Sequence, residues 1–179
     1  IIEDCSQAHG ASWNNVKVGN FGDVSVFSTQ QSKLLTSGEG GLVCTNDSDL
    51  YERLQYLMCD GRYLLDNFNP GNLMYLSGEG KYQGRNFNLT EFGCAVLCAG
   101  IEELDAQNEL RLQNAEALQM FLNEAGVANL TETYEAVTER VFWRVLIRLN
   151  ADQLNADQVG EVGTRVTQRT GLPVEKLGN

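Results

Sequence analysis

Lys33 stands out by its company. It lies in the stretch Phe27-Ser28-Thr29-Gln30-Gln31-Ser32-Lys33-Leu34-Leu35-Thr36-Ser37-Gly38-Glu39-Gly40-Gly41, between two apolar strand-like runs, Val24 to Phe27 and Gly41 to Thr45. A lysine amine becomes a nucleophile when desolvation or nearby positive charge removes its proton, and it then forms Schiff bases with carbonyls. The hydroxyls of Ser28, Thr29, Ser32, Thr36 and Ser37 offer hydrogen bonds to a phosphate, while Gly38, Gly40 and Gly41 let backbone N–H groups approach a ligand closely. The competing reading is a lysine in a solvated loop, the usual place for one beside glycines.

A carboxylate joins it at the start of the chain. Ile1-Ile2-Glu3-Asp4 reads as the end of a buried strand, with Cys5-Ser6-Gln7-Ala8-His9-Gly10 as the turn after it. An acid at the carboxyl end of an α/β strand lies where such sheets bind ligands. Alternatively, Asp4 caps the next segment.

Taken in order, residues 2 to 11 (Ile-Glu-Asp-Cys-Ser-Gln-Ala-His-Gly-Ala), Val18-Gly19-Asn20-Phe21-Gly22-Asp23, Phe27-Ser28 with Lys33 five residues on, Gly38-Glu39-Gly40-Gly41 and Gly84-Arg85-Asn86-Phe87-Asn88 resemble the DegT/DnrJ/StrS aminotransferases. That family uses pyridoxal phosphate to aminate keto-sugars and keto-cyclitols. The wording Glu-Asp-Cys-Ser-Gln-Ala-His-Gly, Phe-Ser-x-Gln-Gln-x-Lys and Asn-Leu-Met-Tyr (72 to 75) is most similar to the inosose aminotransferases of aminoglycoside biosynthesis.

The resemblance implies an α/β fold of the aspartate aminotransferase type (fold type I). Residues 1–104 would be the second half of the large cofactor-binding domain and residues 105–179 part of the small C-terminal domain. It also implies a gene fragment, because the other phosphate-binding loop and the ring-stacking aromatic of the family lie upstream of the strand bearing the aspartate. A piece without those sheet neighbours is expected to be unstable alone.

The resemblance also assigns roles. Asp4 would pair with the cofactor's ring N–H, a charge-assisted bond that keeps the nitrogen protonated. Lys33 would be the Schiff-base lysine and then the amine that carries a proton as base and acid. Relatives that dehydrate sugars replace this lysine. Ser28 matches the hydroxyl that binds the phosphate, and Gln7 the amide near the ring's 3′-oxygen. Asn86 and Asn88 match the segment that reaches the partner's phosphate across a homodimer, although the commonest family pattern has arginine where Asn88 stands. Gln30 and Gln31 either read substrate hydroxyls or tie the loop together. Glu39 is a ligand or a structural residue of its glycine turn. His9 reads as a hydrogen-bonded structural imidazole before a proton relay, and Trp13 and Trp143 as packing residues. The implied partners are an amino donor (L-glutamine or L-glutamate), a keto acceptor such as scyllo-inosose, and a second copy of the chain. A nucleotide-linked keto-sugar acceptor and a non-catalytic subunit of the same fold are the alternatives.

Composition bounds these readings. Among 179 residues, 13 basic against 24 acidic side chains leave a net charge of −11, which argues against nucleic acid or an anionic membrane as partner. The absence of a membrane-length apolar run or a leader pattern makes cytoplasmic the expectation. Five scattered cysteines with one histidine suit reduced buried thiols better than zinc or disulfides. Cys94 and Cys98, one helical turn apart, read as packed small apolar residues. Gly78, Gly80 and Gly84 miss the dinucleotide fingerprint by one residue and come after no strand, which removes a nicotinamide dehydrogenase.

The elements that must hold these residues are legible in part. Asn46, Asp47 and Ser48 supply caps for a helix carrying Leu50, Leu54, Leu57 and Met58 that Gly61 stops. Arg62 to Gly84 reads as a long loop, functional or disordered. Asn88 with Glu91 predicts a capping box opening a helix through Ala99. A second helix is expected over about 105–125, stopped by Gly126, with a domain boundary near Leu104. Val141 to Leu149 alternates as an amphipathic strand. Val159, Val162 and Val166 mark a last helix closed by Gly171 and Pro173.

Overall fold

The computed structural model describes residues 1–64, 75–77, 83–125, 128–130, 134–149 and 155–170. Its elements in chain order are β1 (Ile2–Asp4), β2 (Ser12–Trp13), β3 (Val16–Lys17), β4 (Val24–Ser28), β5 (Gly41–Cys44), α1 (Ser48–Met58), β6 (Arg62–Leu64), β7 (Tyr75–Ser77), α2 (Glu91–Ala125), β8 (Ala128–Leu130), β9 (Val137–Glu139), β10 (Ile147–Leu149) and α3 (Ala156–Thr170). They form two compact units, Ile1–Leu112 with Glu135–Trp143, and Gln113–Tyr134 with Arg144–Asn179.

The first unit is built on a sheet in the order β1-β4-β5. β1 runs parallel to β4, with Asp4 opposite Val26, and β4 runs antiparallel to β5, with Ser28 opposite Gly41. The carboxyl ends of β1 and β4 therefore lie side by side. The lysine stretch is the connection from β4 to β5. Within this chain β1 lies at the end of the strand order, with Ile2 76% exposed. Glu3, on its other face, accepts the backbone N–H groups of Gly19 (2.7 Å), Phe21 (3.0 Å) and Gly22 (3.3 Å), and so fixes the loop that returns the chain to β4.

A small second sheet, β3-β2-β9, belongs to this unit. β2 and β3 form a hairpin turned by Asn14 and Asn15, both at positive φ, as a tight two-residue turn demands. β9 joins β2 from far along the chain, and its Glu139 receives both the Ser12 hydroxyl and the Lys17 ammonium.

α1 starts as the capping residues predict. Asp47 is the N-cap, its carboxylate accepting Asp49 N–H (2.8 Å) and Leu50 N–H (2.9 Å). The helix ends where Asp60 and Gly61 both take positive φ. Residues 85–87 then satisfy its last groups: Arg85 N–H donates to Leu57 O (2.8 Å) and Phe87 N–H to Met58 O (3.0 Å). Gly84 sits so close beneath that a Cβ there would run into the Tyr56 carbonyl and the Gly61 nitrogen. That packing, and no fingerprint, is what this glycine does.

Several expectations are corrected. The two helical segments are one helix, α2, running unbroken through Leu104. Its first turn is capped by Thr90, whose hydroxyl accepts Gly93 N–H (3.1 Å), and not by Asn88, which bonds to Asn86 instead. Within the expected loop from Arg62 to Gly84, β6 and β7 pair antiparallel, so a strand does precede Gly78 and the fingerprint fails on its spacing alone; residues 65–74 and 78–82 of that loop, with Asn72, Leu73 and Met74, lie outside the described residues. Of the expected strand 141–149, residues 147–149 are strand, and residues 141–146 are irregular chain with a bend at 143 and 144. Cys94 and Cys98 are exposed, since the helix face they share is not covered; Cys5 and Cys59 are the buried thiols.

In the second unit β8 pairs antiparallel with β10. Gln119 of α2 accepts the Leu130 N–H (2.9 Å), beside the buried side chains of Ala115 and Leu122. α3 opens on a reciprocal capping box: Gln158 N–H donates to the Asn155 side chain (2.9 Å), and Asn155 N–H donates to the Gln158 side chain (2.8 Å). Gly126, Gly171 and Pro173, named as stops, lie outside the described residues.

Candidate active site

The site grows from the two parallel strand ends. Asp4 closes β1 and is exposed, with Oδ1 accepting Ser6 N–H at 3.0 Å. The Ser6 hydroxyl and N–H hold the carboxyl below the usual carboxylate range, and the Lys33 charge adds to this. Asp4 caps the turn, and it presents an ionised oxygen pair at the carboxyl end of the strand.

Ser28 closes the neighbouring strand, half-buried, with its hydroxyl accepting Gln30 N–H at 3.4 Å. Beyond it the loop is held by a hub at the fully buried Thr29. Thr29 N–H donates to Gly40 O and its carbonyl accepts Ser37 N–H, both at 2.9 Å. The Thr29 and Ser37 hydroxyls share a 2.7 Å bond, and Thr36 donates its hydroxyl to Thr29 O at 3.2 Å while accepting Gly38 N–H at 2.9 Å. Most of the hydroxyls that suggested phosphate binding are thus spent on loop geometry, while Ser28, at the strand end, makes the longer contact to Gln30 N–H. Gly40, at φ +133°, lies where a Cβ would strike Leu89. Residue 89 therefore touches the end of the lysine loop.

Lys33 is presented by the apolar pair next to it. Leu34 and Leu35 are buried, and Leu35 packs against Gly100 of α2, so the loop is seated directly after the lysine. Lys33 N–H donates to Gln30 O at 2.9 Å. Gln30 ties the loop together as well: its side-chain carbonyl takes the N–H (2.8 Å) and the hydroxyl (2.6 Å) of Ser32. Gln31 and Gln7 are exposed, Gln7 in the turn after Asp4.

His9 departs from the hydrogen-bonded imidazole expected. It is buried at 3% exposure and stacked at a tilt 5.5 Å from Phe27, and among the described residues neither ring nitrogen has a partner of hydrogen-bond geometry. Burial pushes its pKa down; the Ser28 backbone pulls upward less strongly, and the Lys33 charge adds to the lowering. Asn108 of α2 holds the turn from the other side, donating to the His9 carbonyl at 2.9 Å.

Asn86 and Asn88 form a cluster of their own beside the end of α1. The Asn88 side-chain amide donates to Asn86 at 3.0 Å, and the buried Cys59 thiol donates to Asn88 Oδ1 at 3.3 Å.

One residue at the lysine was missed. Trp143, read as packing, donates its indole N–H to the Ser32 carbonyl at 2.6 Å, and the Lys33 ammonium lies 4.5 Å from its ring centroid. No local pattern marks it, since it lies 111 residues from Ser32 in sequence. Trp13, also read as packing, is 40% exposed on β2.

The model of the DegT/DnrJ/EryC1/StrS aminotransferase family matches residues 1–169. The chain belongs to that family. An L-glutamine:2-deoxy-scyllo-inosose aminotransferase of Streptomyces kanamyceticus is 40% identical over 174 residues, covering 97% of this chain and 40% of that protein. An L-glutamine:scyllo-inosose aminotransferase of Streptomyces griseus is 38% identical over 97% of this chain and 41% of its own length. The chain thus spans about two fifths of these curated relatives. Among solved structures, the aminotransferase from Psychrobacter cryohalolentis matches with a TM-score of 0.78 at 23% identity, over 96% of this chain and 46% of that one. A DegT DnrJ EryC1 StrS aminotransferase from Brucella abortus matches at 0.74 and 24% identity, over 97% and 41%. The α/β aminotransferase fold expected from the resemblance is the fold these structures share.

The donor set fits pyridoxal phosphate, the cofactor the family implies. An ionised carboxylate at a strand end suits a pyridinium N–H, a primary amine on a seated loop suits an aldehyde, and a hydroxyl at the adjoining strand end suits a phosphate. Among the described residues no group of three or more His, Cys, Asp or Glu side chains could hold a metal ion, and no helix is long and apolar enough to cross a membrane.

Proposed function

We propose that this chain carries the catalytic lysine and aspartate of an aminotransferase that uses pyridoxal phosphate to move the amino group of L-glutamine, or L-glutamate, onto a keto-cyclitol such as scyllo-inosose in aminoglycoside-type biosynthesis. The observation that carries the reading is the convergence of Asp4 and Ser28, at the ends of adjacent parallel strands, with Lys33 in the loop after them. The named activities of the relatives at 38–40% identity support the choice of acceptor.

When bound, the cofactor supplies an electron sink for the carbon that loses its proton. The chain's own residues do the rest. The Asp4 carboxylate would accept the ring N–H, and its lowered pKa keeps it ionised for that task. Ser28 would bind the phosphate, and Gln7 would contact the ring oxygen. Lys33 Nζ takes a proton from the donor and returns it to the acceptor side, serving as base and then acid. Gln30 and Gln31 line the lysine loop toward the acceptor's hydroxyls, and Asn86 and Asn88 reach the phosphate of a second copy in a cytoplasmic homodimer.

The test uses the complete gene product loaded with pyridoxal phosphate, with the visible absorption of the bound cofactor as readout. L-Glutamine is expected to bleach the band and scyllo-inosose to restore it, with Lys33→Ala showing neither change. Restoration only by a nucleotide-linked keto-sugar would replace the acceptor. A wild-type protein with no Lys33-dependent band would sink the reading altogether.

A further inference from the structure

We propose that Trp143 is a positioning residue for Lys33, clamping the lysine's backbone with its indole N–H and its ammonium with its ring face. This rests on the role of Lys33 given above, and it adds a residue from the far end of the first unit.

Two contacts of one side chain carry the inference. The indole N–H bonds the Ser32 carbonyl at 2.6 Å, the peptide group directly before Lys33, so it fixes the start of the lysine residue itself. The ring face lies under Nζ with 4.5 Å to the centroid, well within the reach of a cation–π contact. The indole's N–H and its π-face therefore restrain the two ends of one residue. Among the described residues the other contacts of Lys33 act on its backbone, its N–H on Gln30 O and the buried Leu34 and Leu35 after it, while Asp4 acts on its ammonium through charge. The backbone contacts seat the loop but leave a four-carbon side chain free to swing, which for a lysine means several rotatable bonds. The Trp143 ring supplies the missing restraint. Its half-buried setting removes water from one side of the ammonium, so the amine waits above the ring instead of in bulk solvent whenever it is free.

The contact is selective in chemistry. A π-face attracts the cation and not the neutral amine. An apolar residue of similar bulk fills the space without that attraction, and phenylalanine keeps the face while losing the N–H. Trp143→Leu and Trp143→Phe thus separate the ring's role from mere packing.

The experiment takes the complete gene product stripped of cofactor and measures acetylation of each lysine by a limiting amine reagent at fixed pH, read by mass spectrometry with Lys17 as internal reference. Trp143→Leu is expected to raise Lys33 labelling about three- to tenfold over wild type, and Trp143→Phe to keep it within about twofold. In the loaded enzyme, Trp143→Leu is expected to lower kcat about tenfold with KM for L-glutamine little changed, and Trp143→Phe to recover most of that loss. Equal labelling of Lys33 in wild type, Leu and Phe variants would overturn the clamp, as would equal kcat in all three. The labelling readout needs no turnover. If it responds as stated while no transamination is found, the clamp stands and the functional reading falls; if transamination is found and labelling does not respond, the reverse holds.

Discussion

Asn in place of Asp4 keeps an oxygen for the Ser6 N–H but removes the negative charge that a ring nitrogen needs. Asp4→Asn is expected to lower kcat at least about 100-fold while the affinity for pyridoxal phosphate changes by less than about tenfold, measured by single-turnover absorbance and by titration of the cofactor. The thiols differ as sharply by environment. Cys5 is buried beside Glu3 and Asp4, and burial first, then those carboxylates, push its pKa up to about 12. Cys44, Cys94 and Cys98 are exposed. Brief treatment of the native protein with iodoacetamide at a pH of about 8 is expected to modify those three and to spare Cys5, as peptide mapping would show; modification of Cys5 at a similar rate would mean the turn after Asp4 opens readily. The Gln30 side-chain carbonyl is committed to the N–H and hydroxyl of Ser32, and its NH2 takes no part in those bonds.

At the scale of elements, helix ends do most of the positioning. Gly84 lies under the end of α1, and its neighbours 85–87 bond the helix's last carbonyls on the way to Asn88. Gly84→Ala forces that backbone apart and is expected to cost about 2–4 kcal/mol in urea unfolding, with the Asn86–Asn88 cluster displaced. Thr90→Ala removes only one cap bond of α2 and is expected to cost about 1 kcal/mol. A Gly84→Ala protein as stable as Thr90→Ala would show that the loop relaxes around the added methyl. The cap at Thr90 also explains why the Asn88–Glu91 pair misleads. The pattern fits a capping box, but Asn88 is drawn to Asn86 and Cys59, and the cap falls two residues later.

For the molecule as a whole, His9 links pH to stability. Its folded pKa lies below the unfolded value, so as pH falls the unfolded chain takes up the proton first. Its contribution is therefore present above about 6.5 and is lost as pH falls below that value toward the folded pKa. The carboxylates with lowered pKa, Glu3, Asp4 and Glu139, act in a lower window and in the same direction. Melting curves of the complete gene product at pH values of about 7.5 and about 5.5, on either side of the histidine's ordinary pKa, are expected to show a drop in Tm that His9→Gln makes smaller. An unchanged drop in that variant would place the effect elsewhere.

Much of the site was written in the sequence because its parts are local. Asp4, Ser28 and Lys33 lie at strand ends and in one loop, and the glycines, hydroxyls and apolar runs around them mark those positions without knowledge of the fold. The same holds for the Asp47 cap and for the last helix. Tertiary structure decided the features that depend on distant segments: β9 joining β2 through Glu139, the use of Asn88 by Cys59, and the buried His9 held by Asn108. Trp143 belongs with these. An alternating stretch of apolar residues and arginines argues for a strand whatever lies opposite it. Only the path that brings residue 143 beside residue 32 turns a tryptophan into the neighbour of the Lys33 amine.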